Sequence, residues 1–81
     1  MTRDSIFQQI HGFLTILKVQ SDAINEDMVL IGKKGCLDSL SALQLIFLCE
    51  ETYKIDLLEN DIKLERLSTV GTLINAIIEL I

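Results

Sequence analysis

The sequence predicts an all-α fold: a small bundle of three longer helices and one short helix, with a long first loop. Two observations favour this fold class. Every periodic apolar pattern in the chain has helical spacing, and no segment alternates as a half-buried strand would. The 81 residues, 49% of them hydrophobic, are also enough for one core and no more. We therefore expect a single domain over residues 1–81.

The first predicted helix runs from about Asp4 to Val19, with Asp4 as its N-cap. Its apolar residues form one stripe: Ile6, Ile10, Phe13, Leu14 and Leu17. A long connection follows, from about Gln20 to Leu37. Because a structureless loop of this length is uncommon inside a compact domain, we expect its apolar residues to lie across the bundle. These residues are Ile24, Met28, Val29, Leu30 and Ile31.

The central helix is the segment around which the chain is organised. Gly32 and Gly35 precede it, and Asp38 and Ser39 stand where it begins, as helix-capping residues do. One apolar stripe has the spacing of a core face: Ala42, Leu45, Ile46, Cys49 and Tyr53. A second stripe lies on roughly the opposite side: Leu40, Leu43 and Phe47. One stripe is enough to join a small domain, so the second is either covered by the long loop or exposed for a partner.

The C-terminal third of the chain completes the bundle. After a turn, Glu59 to about Leu64 is predicted to form the short helix. Thr69 then caps a last helix, from Val70 to Ile81. Its predicted core face is a set of β-branched and leucine residues: Val70, Leu73, Ile74, Ile77, Ile78 and Ile81.

Charge and composition exclude several classes of function. The formal charge of −5 disfavours nucleic acid and anionic membranes as partners. The N-terminal residues are charged where a secretory signal would be apolar, and no apolar run approaches the roughly 20 residues of a membrane span, so we expect a cytoplasmic protein. In the cytoplasm, Cys36 and Cys49 are not expected to form a disulfide. Together with His11, the two cysteines provide too few ligands for a metal site.

The acids are concentrated in the half of the protein that follows Ser39. Seven acids and two bases lie between Asp38 and Glu65, whereas the acids and bases of the remaining chain cancel. This acidic region is either a solvated face or a surface that meets basic patches on partner proteins.

The central segment also carries a family resemblance. Gly35-Cys36-Leu37-Asp38-Ser39-Leu40, followed by Leu43, Leu45, Leu48, Glu50-Glu51, Tyr53 and Ile55, resembles the acyl carrier protein family. In that family the serine of an Asp-Ser-Leu motif carries a covalent 4′-phosphopantetheine group. The resemblance extends over nearly the whole chain, from the first amphipathic helix to the Thr69-Val70 pair that opens the last one. It implies that Ser39 is the attachment site and that Asp38 contributes to recognition by a phosphopantetheinyl transferase.

Elementary chemistry agrees with an attached group at Ser39. A phosphodiester at a helix N-terminus lies at the positive end of the helix dipole, an interaction of about 0.3–1 kcal/mol at an exposed site. The chain has no general base near Ser39 in sequence, because its single histidine is on the first helix, so we expect another enzyme to install the group. Cys36 also lacks a neighbouring base and is interpreted as a small apolar residue. No catalytic residue is predicted, and the protein is not expected to be an enzyme.

The resemblance further implies a set of partners. Besides the transferase, these are acyl- or aminoacyl-loading and condensing enzymes of fatty acid, polyketide or related biosynthesis, which receive the cargo as a thioester. The residues expected to meet them are Leu40, Leu43, Phe47, Glu50 and Glu51. Fatty acid carriers usually have acids two and five residues after the modified serine, where this chain has Ser41 and Gln44. In this respect the chain is similar to free-standing carriers of polyketide and aminoacyl pathways.

A second hypothesis belongs to another class of function. The chain is then an unmodified helical interaction module that docks or dimerises through Leu40, Leu43 and Phe47. Both hypotheses predict the same fold, although a carrier is expected to be a monomer. Whether Ser39 accepts the arm distinguishes them.

Overall fold

The computed structural model describes residues 2–32, 35–57 and 67–81. These ranges contain three α-helices, α1 (Arg3–Ile16), α2 (Ser39–Tyr53) and α3 (Val70–Leu80), and a short 3₁₀ turn at Ser21–Ala23. Within the same ranges the backbone forms no strand, only one isolated antiparallel bridge between Val29 and Thr69. The predicted small all-α bundle with a long first loop is therefore confirmed. The predicted short helix from Glu59 to about Leu64 lies outside the described residues.

Helix α1 begins earlier than its sequence pattern predicted. Thr2 is the N-cap, and it forms a capping box with Ser5, in which each backbone N–H donates to the other residue's hydroxyl at 3.2 Å. The prediction of Asp4 as the N-cap is wrong. Asp4 lies instead in the first turn, where its carboxylate faces the positive end of the helix dipole.

The same helix also ends earlier than predicted, at Ile16 and not near Val19. Lys18 adopts a left-handed conformation with φ of 71°, which stops the helix. The Lys18 N–H donates to Thr15 O at 3.0 Å and the Val19 N–H donates to Leu14 O at 2.9 Å. These two bonds form a Schellman motif, and they leave Ile16 and Leu17 at the end of the helix.

The core is formed by one face of each helix. The buried helical residues are Ile6, Ile10, Phe13 and Leu14 of α1, Ala42, Leu45, Ile46 and Cys49 of α2, and Val70, Leu73, Ile74, Ala76 and Ile77 of α3. The predicted faces of α1 and α2 are confirmed, with Leu17 and Tyr53 half-buried at their edges.

The predicted core face of α3 needs a correction at two residues. Ile78 is 42% exposed and Ile81 is 51% exposed, whereas Ala76 is fully buried. Ile81 is the C-cap residue, after the last helical residue. Ile78 lies at one edge of the stripe, and the bundle buries the opposite edge, which carries Ala76.

The long loop lies across the bundle, as its apolar residues predicted. Ile24 and Leu30 are buried, and backbone hydrogen bonds join this loop to the start of α3. The Leu30 N–H donates to Ser68 O at 2.6 Å, the Val70 N–H to Met28 O at 3.2 Å and the Gly71 N–H to Glu26 O at 2.8 Å.

One side chain reinforces this junction from the N-terminus of α1. The Arg3 guanidinium pairs with the Glu26 carboxylate and donates to the Asn75 side-chain oxygen and, at 3.5 Å, to Gly71 O. Both members of the ion pair are well exposed, so the pair itself is expected to contribute only about 0–1 kcal/mol. Among the helices in the described ranges, none combines the length and the apolarity that crossing a membrane requires.

Candidate functional site

The segment that precedes α2 is a closed loop held by its own backbone. The Cys36 N–H donates to Val29 O and the Leu37 N–H donates to Leu30 O, both at 3.1 Å. Leu30 is fully buried and Leu37 nearly so, which anchors both sides of the loop in the core. The chain therefore arrives at α2 from a fixed direction, and the first residues of α2 have a defined position.

Glycine is required within this loop for two different reasons. Gly32 has a φ of +104°, a conformation that other residues rarely adopt. At Gly35 the difficulty is a close approach, because an added Cβ would lie 2.5 Å from Leu30 O and 2.7 Å from the Ile31 backbone nitrogen. Gly32 O also accepts a hydrogen bond from the Gly35 N–H at 3.0 Å. The two glycines that precede α2 thus permit the tight loop that leads the chain to Ser39.

Asp38 and Ser39 have different roles at the start of α2. Asp38 is the N-cap, as predicted, and its Oδ1 accepts a hydrogen bond from the Ser41 N–H at 2.7 Å. This hydrogen bond with Ser41 lowers the pKa of the Asp38 carboxyl below its ordinary value. Ser39 is the first helical residue and is exposed. Because Asp38 provides the cap, the helix start does not use the Ser39 hydroxyl.

Two clefts meet at Ser39. The larger, of about 450 Å³, is lined by Ile31, Gly32, Leu37, Asp38, Ser39 and Ala42. The smaller, of about 200 Å³, is lined by Ile31, Ser39, Ala42, Leu43 and Ile46. Since Ile31, Ser39 and Ala42 belong to both, a group attached to Ser39 can follow an apolar surface in either direction.

The second apolar stripe of α2 is exposed and not covered by the loop. Leu40 is 67% exposed, Leu43 is 41% exposed and Phe47 is 54% exposed. We call these three residues the exposed ridge. Of the two alternatives left open by the sequence, exposure is the correct one for all three side chains.

The two acids predicted to meet partners have different environments. Glu50 is half-buried and stabilises the C-terminal end of α2. Its Oε2 accepts a hydrogen bond from the Leu57 N–H at 2.8 Å. Its carbonyl oxygen accepts from the N–H groups of Lys54 and Ile55. Glu51 is exposed beside Phe47. Glu50 therefore has a structural role in addition to any role with partners, and Glu51 is the surface charge. Glu59, Asp61 and Glu65 lie outside the described residues.

The sequence interpretation missed one exposed residue near this surface. Ile16, at the end of α1, is 70% exposed and lines a groove with Phe47. The sequence feature that could have indicated this exposed residue is an isoleucine outside the α1 core stripe. The early stop of the helix at Lys18, which no side-chain pattern announces, is what leaves it at the helix end.

The environments of the two cysteines disfavour their thiolate forms. Burial, together with the negative charge of Glu50, raises the pKa of the Cys49 thiol to about 12. Cys36 is exposed as a residue, yet partial desolvation of its thiol raises its pKa as well. His11 lies on α1 with its ring 6.3 Å from that of Phe7. The described part of the chain contains no cluster of three or more side chains suited to a metal ion.

Ser39 is exposed as the first residue of a capped helix. Its backbone position is set by the helix cap at Asp38 and by the backbone hydrogen bonds of the preceding loop. No protein-family model matches the chain, and no curated protein matches it either. The functional assignment therefore depends on the motif and on the geometry around Ser39.

Proposed function

We propose that this protein is an acyl carrier whose Ser39 bears a covalent 4′-phosphopantetheine arm. The arm holds an acyl or aminoacyl group as a thioester, and the protein presents that group to cytoplasmic enzymes of fatty acid, polyketide or related biosynthesis. The observation that carries the proposal is the placement of Ser39. It is exposed, it is the first residue of a capped helix, and it lies where two clefts meet.

The residues present fit an attached phosphodiester. At the N-terminus of α2 the first backbone N–H groups and the helix dipole favour a negative group. The Asp38 carboxylate already accepts the Ser41 N–H, so it caps the helix and leaves the Ser39 hydroxyl available. The cleft beyond Ser39 is apolar through Leu43 and Ile46, which suits the aliphatic part of an arm or its cargo. When attached, the group supplies a flexible chain with a terminal thiol for the thioester.

The attachment step needs a second protein. A phosphopantetheinyl transferase with Mg²⁺ would bring coenzyme A to Ser39, and the Ser39 Oγ would form a bond to the pyrophosphate phosphorus nearest the pantetheine. The leaving group is 3′,5′-ADP, and the transferase takes the serine proton. In this step Asp38 fixes the direction of the helix start and offers the transferase a carboxylate beside the acceptor.

Partner enzymes of a carrier need a surface next to the modified serine. The exposed ridge provides that surface, and the exposed Glu51 lies one helical turn after Phe47. Ser41 and Gln44 make the first turns of α2 uncharged, so we expect apolar contacts to Leu40, Leu43 and Phe47 to dominate docking. A buried aromatic at an interface can contribute 2 kcal/mol or more, compared with about 0.2–1 kcal/mol for a rim charge.

The proposal is tested by intact mass spectrometry after incubation with a broad-specificity transferase, coenzyme A and Mg²⁺. The wild-type chain should gain the mass of one phosphopantetheinyl group, and Ser39→Ala should gain none. Ser41→Ala is the matched control, because it removes a hydroxyl from the same turn and keeps the backbone N–H that Asp38 caps. Ser41→Ala should be modified like the wild type. Modification of Ser39→Ala, or no modification of the wild type by any of several transferases, would refute the carrier assignment.

An unmodified interaction module remains the second candidate, and the exposed ridge is the observation that favours it. This candidate requires that the wild type resist modification and that Phe47→Ser abolish a measurable self-association. A carrier that docks only transiently should sediment as a monomer.

A further inference from the structure

The apolar groove that Ile16 and Phe47 line lies beside the exposed ridge, on the side away from the Ser39 clefts. It has a volume of about 350 Å³ and is lined by Ile16, Leu17, Gln44, Phe47, Leu48 and Glu51. On α2 its lining residues follow the same i, i+3, i+4, i+7 spacing as those of the clefts at Ser39, but begin five residues later. Five residues rotate the helix by about 140°, so the groove opens toward α1 and the clefts open toward the loop.

The groove is lined partly by residues that are not buried in the core. Ile16 is 70% exposed and Phe47 is 54% exposed, and they stand on opposite helices with Leu17 and Leu48 between them. An engineered apolar cavity of about 150 Å³ accommodates a benzene molecule, so this groove has room for about two large aliphatic side chains. Those side chains would come from one turn of a partner helix.

The charged and polar residues that line the groove favour some binding partners over others. Its two polar lining residues are Gln44 and the exposed acid Glu51, and none of the six lining residues is basic. Lys18, the base closest to Ile16 in sequence, is not part of the lining. A second copy of this chain would bring the same carboxylate and a further net charge of −5 to the contact, which is unfavourable. An anionic membrane is disfavoured for the same reason. A cationic partner is favoured.

We propose that this groove docks a basic amphipathic helix of a partner protein, through two aliphatic side chains one turn apart and a Lys or Arg that faces Glu51. This docking site would serve the proposed carrier function, and the inference rests on that function. A partner bound between α1 and α2 would hold the carrier while Ser39, on the other side of the exposed ridge, stays accessible. The proposal assigns docking contacts to Ile16 and Leu17, which belong to α1 and its C-cap and not to the helix that carries Ser39.

The test uses unmodified, isotope-labelled protein, so that its result does not depend on Ser39. The probe is a synthetic helical peptide with leucines at i, i+3 and i+4 on one face and lysines on the other. Titration is followed by amide chemical shifts. The expected result is a saturable set of shifts at the groove residues, with affinity reduced about tenfold by Ile16→Ser. Glu51→Gln should weaken binding by a few fold and reduce its salt dependence.

The matched control is Ile78→Ser, which removes an exposed isoleucine from α3 and should leave the affinity unchanged. Phe47→Ser tests the opposite wall if Ile16→Ser proves less folded by circular dichroism. Several outcomes would overturn the inference: shifts centred on another face, equal binding of a peptide with glutamates in place of the lysines, or equal loss of affinity in Ile78→Ser. Self-association or binding to phosphatidylcholine vesicles that is abolished by Ile16→Ser would also overturn it, since the occupant would then be a second copy or a membrane. Failure of this test leaves the mass-spectrometric test of Ser39 intact, and the reverse also holds.

Discussion

Replacing Gly35 with alanine tests whether the tight loop before α2 controls both stability and the site. The added Cβ would lie 2.5 Å from Leu30 O, about 0.9 Å inside the 3.4 Å at which ordinary contact begins. The atom it meets is backbone, and Leu30 is fully buried and already accepts the Leu37 N–H, so it has little freedom to move. Overpacking of this kind typically costs about 1–3 kcal/mol. We expect Gly35→Ala to lower the free energy of unfolding by that amount.

The matched substitution is Gly12→Ala, for which the expected sign is opposite. Gly12 lies in the interior of α1, and an added Cβ would meet nothing within 4 Å. Alanine there should stabilise the protein by about 0.5–1 kcal/mol, because it lowers the conformational entropy of the unfolded chain and favours the helix.

Urea and thermal unfolding, followed by circular dichroism, measure both effects. In a domain of this size each 1 kcal/mol corresponds to a shift of about 4–8 °C in the melting temperature. The folded fraction of Gly35→Ala should also accept the phosphopantetheinyl group more slowly, because the same loop positions Ser39. If Gly35→Ala unfolded within about 0.5 kcal/mol of the wild type, the close approach would not constrain this loop and the reasoning would be wrong.

Three further predictions concern single side chains. Because the Asp38 pKa is lowered in the folded state, the stabilisation by its carboxylate is complete above the ordinary pKa and is lost as pH falls through the lowered value. The difference in melting temperature between wild type and Asp38→Asn should therefore shrink as the pH falls below about 5, and a constant difference would contradict the lowered pKa. Because its pKa is raised to about 12 by burial, the Cys49 thiol should resist alkylation in the folded protein while exposed Cys36 reacts, and mass spectrometry should find one modified cysteine before denaturation and two after it. Thr2→Ala should cost about 1 kcal/mol through loss of the capping box and Asp4→Ala clearly less; the reverse order of the two unfolding free energies would restore Asp4 as the cap.

Side-chain periodicity predicted the helices and most of the core, because burial is what the pattern records. The buried residues of α1 and α2 follow their predicted stripes, and Asp38 caps α2 as its residue type suggested. The pattern did not predict the features that depend on backbone conformation. The left-handed turn at Lys18 shortens α1, and lysine has no special preference for that conformation that a reader of the sequence could use.

The site was predictable in part for the same reason. The positions of Asp38 and Ser39 at the start of α2 were predicted from residue type, whereas the groove at Ile16 depends on where α1 stops and how it packs on α2. The hydrogen bond from the Leu57 N–H to Glu50 was not predictable, because a glutamate on a helix surface looks the same whether it binds solvent or caps a turn. The exposure of Leu40, Leu43 and Phe47 also depends on the path of the loop, which follows backbone bonds that no side-chain pattern specifies.

The backbone bonds between the long loop and the start of α3 have a consequence for the order of folding. They join residues about 40 positions apart, so the loop must wait for the far end of the chain before it is paired. A nascent chain that has emerged only through α2 lacks the Ser68 and Val70 partners of Leu30 and Met28. During synthesis the local helices and the turn that precedes Ser39 can form early, but the long loop is joined to the start of α3 only after α3 has left the ribosome. The surroundings of Ser39 are thus completed late in folding, and an enzyme that recognised them would act on finished chains in preference to growing ones.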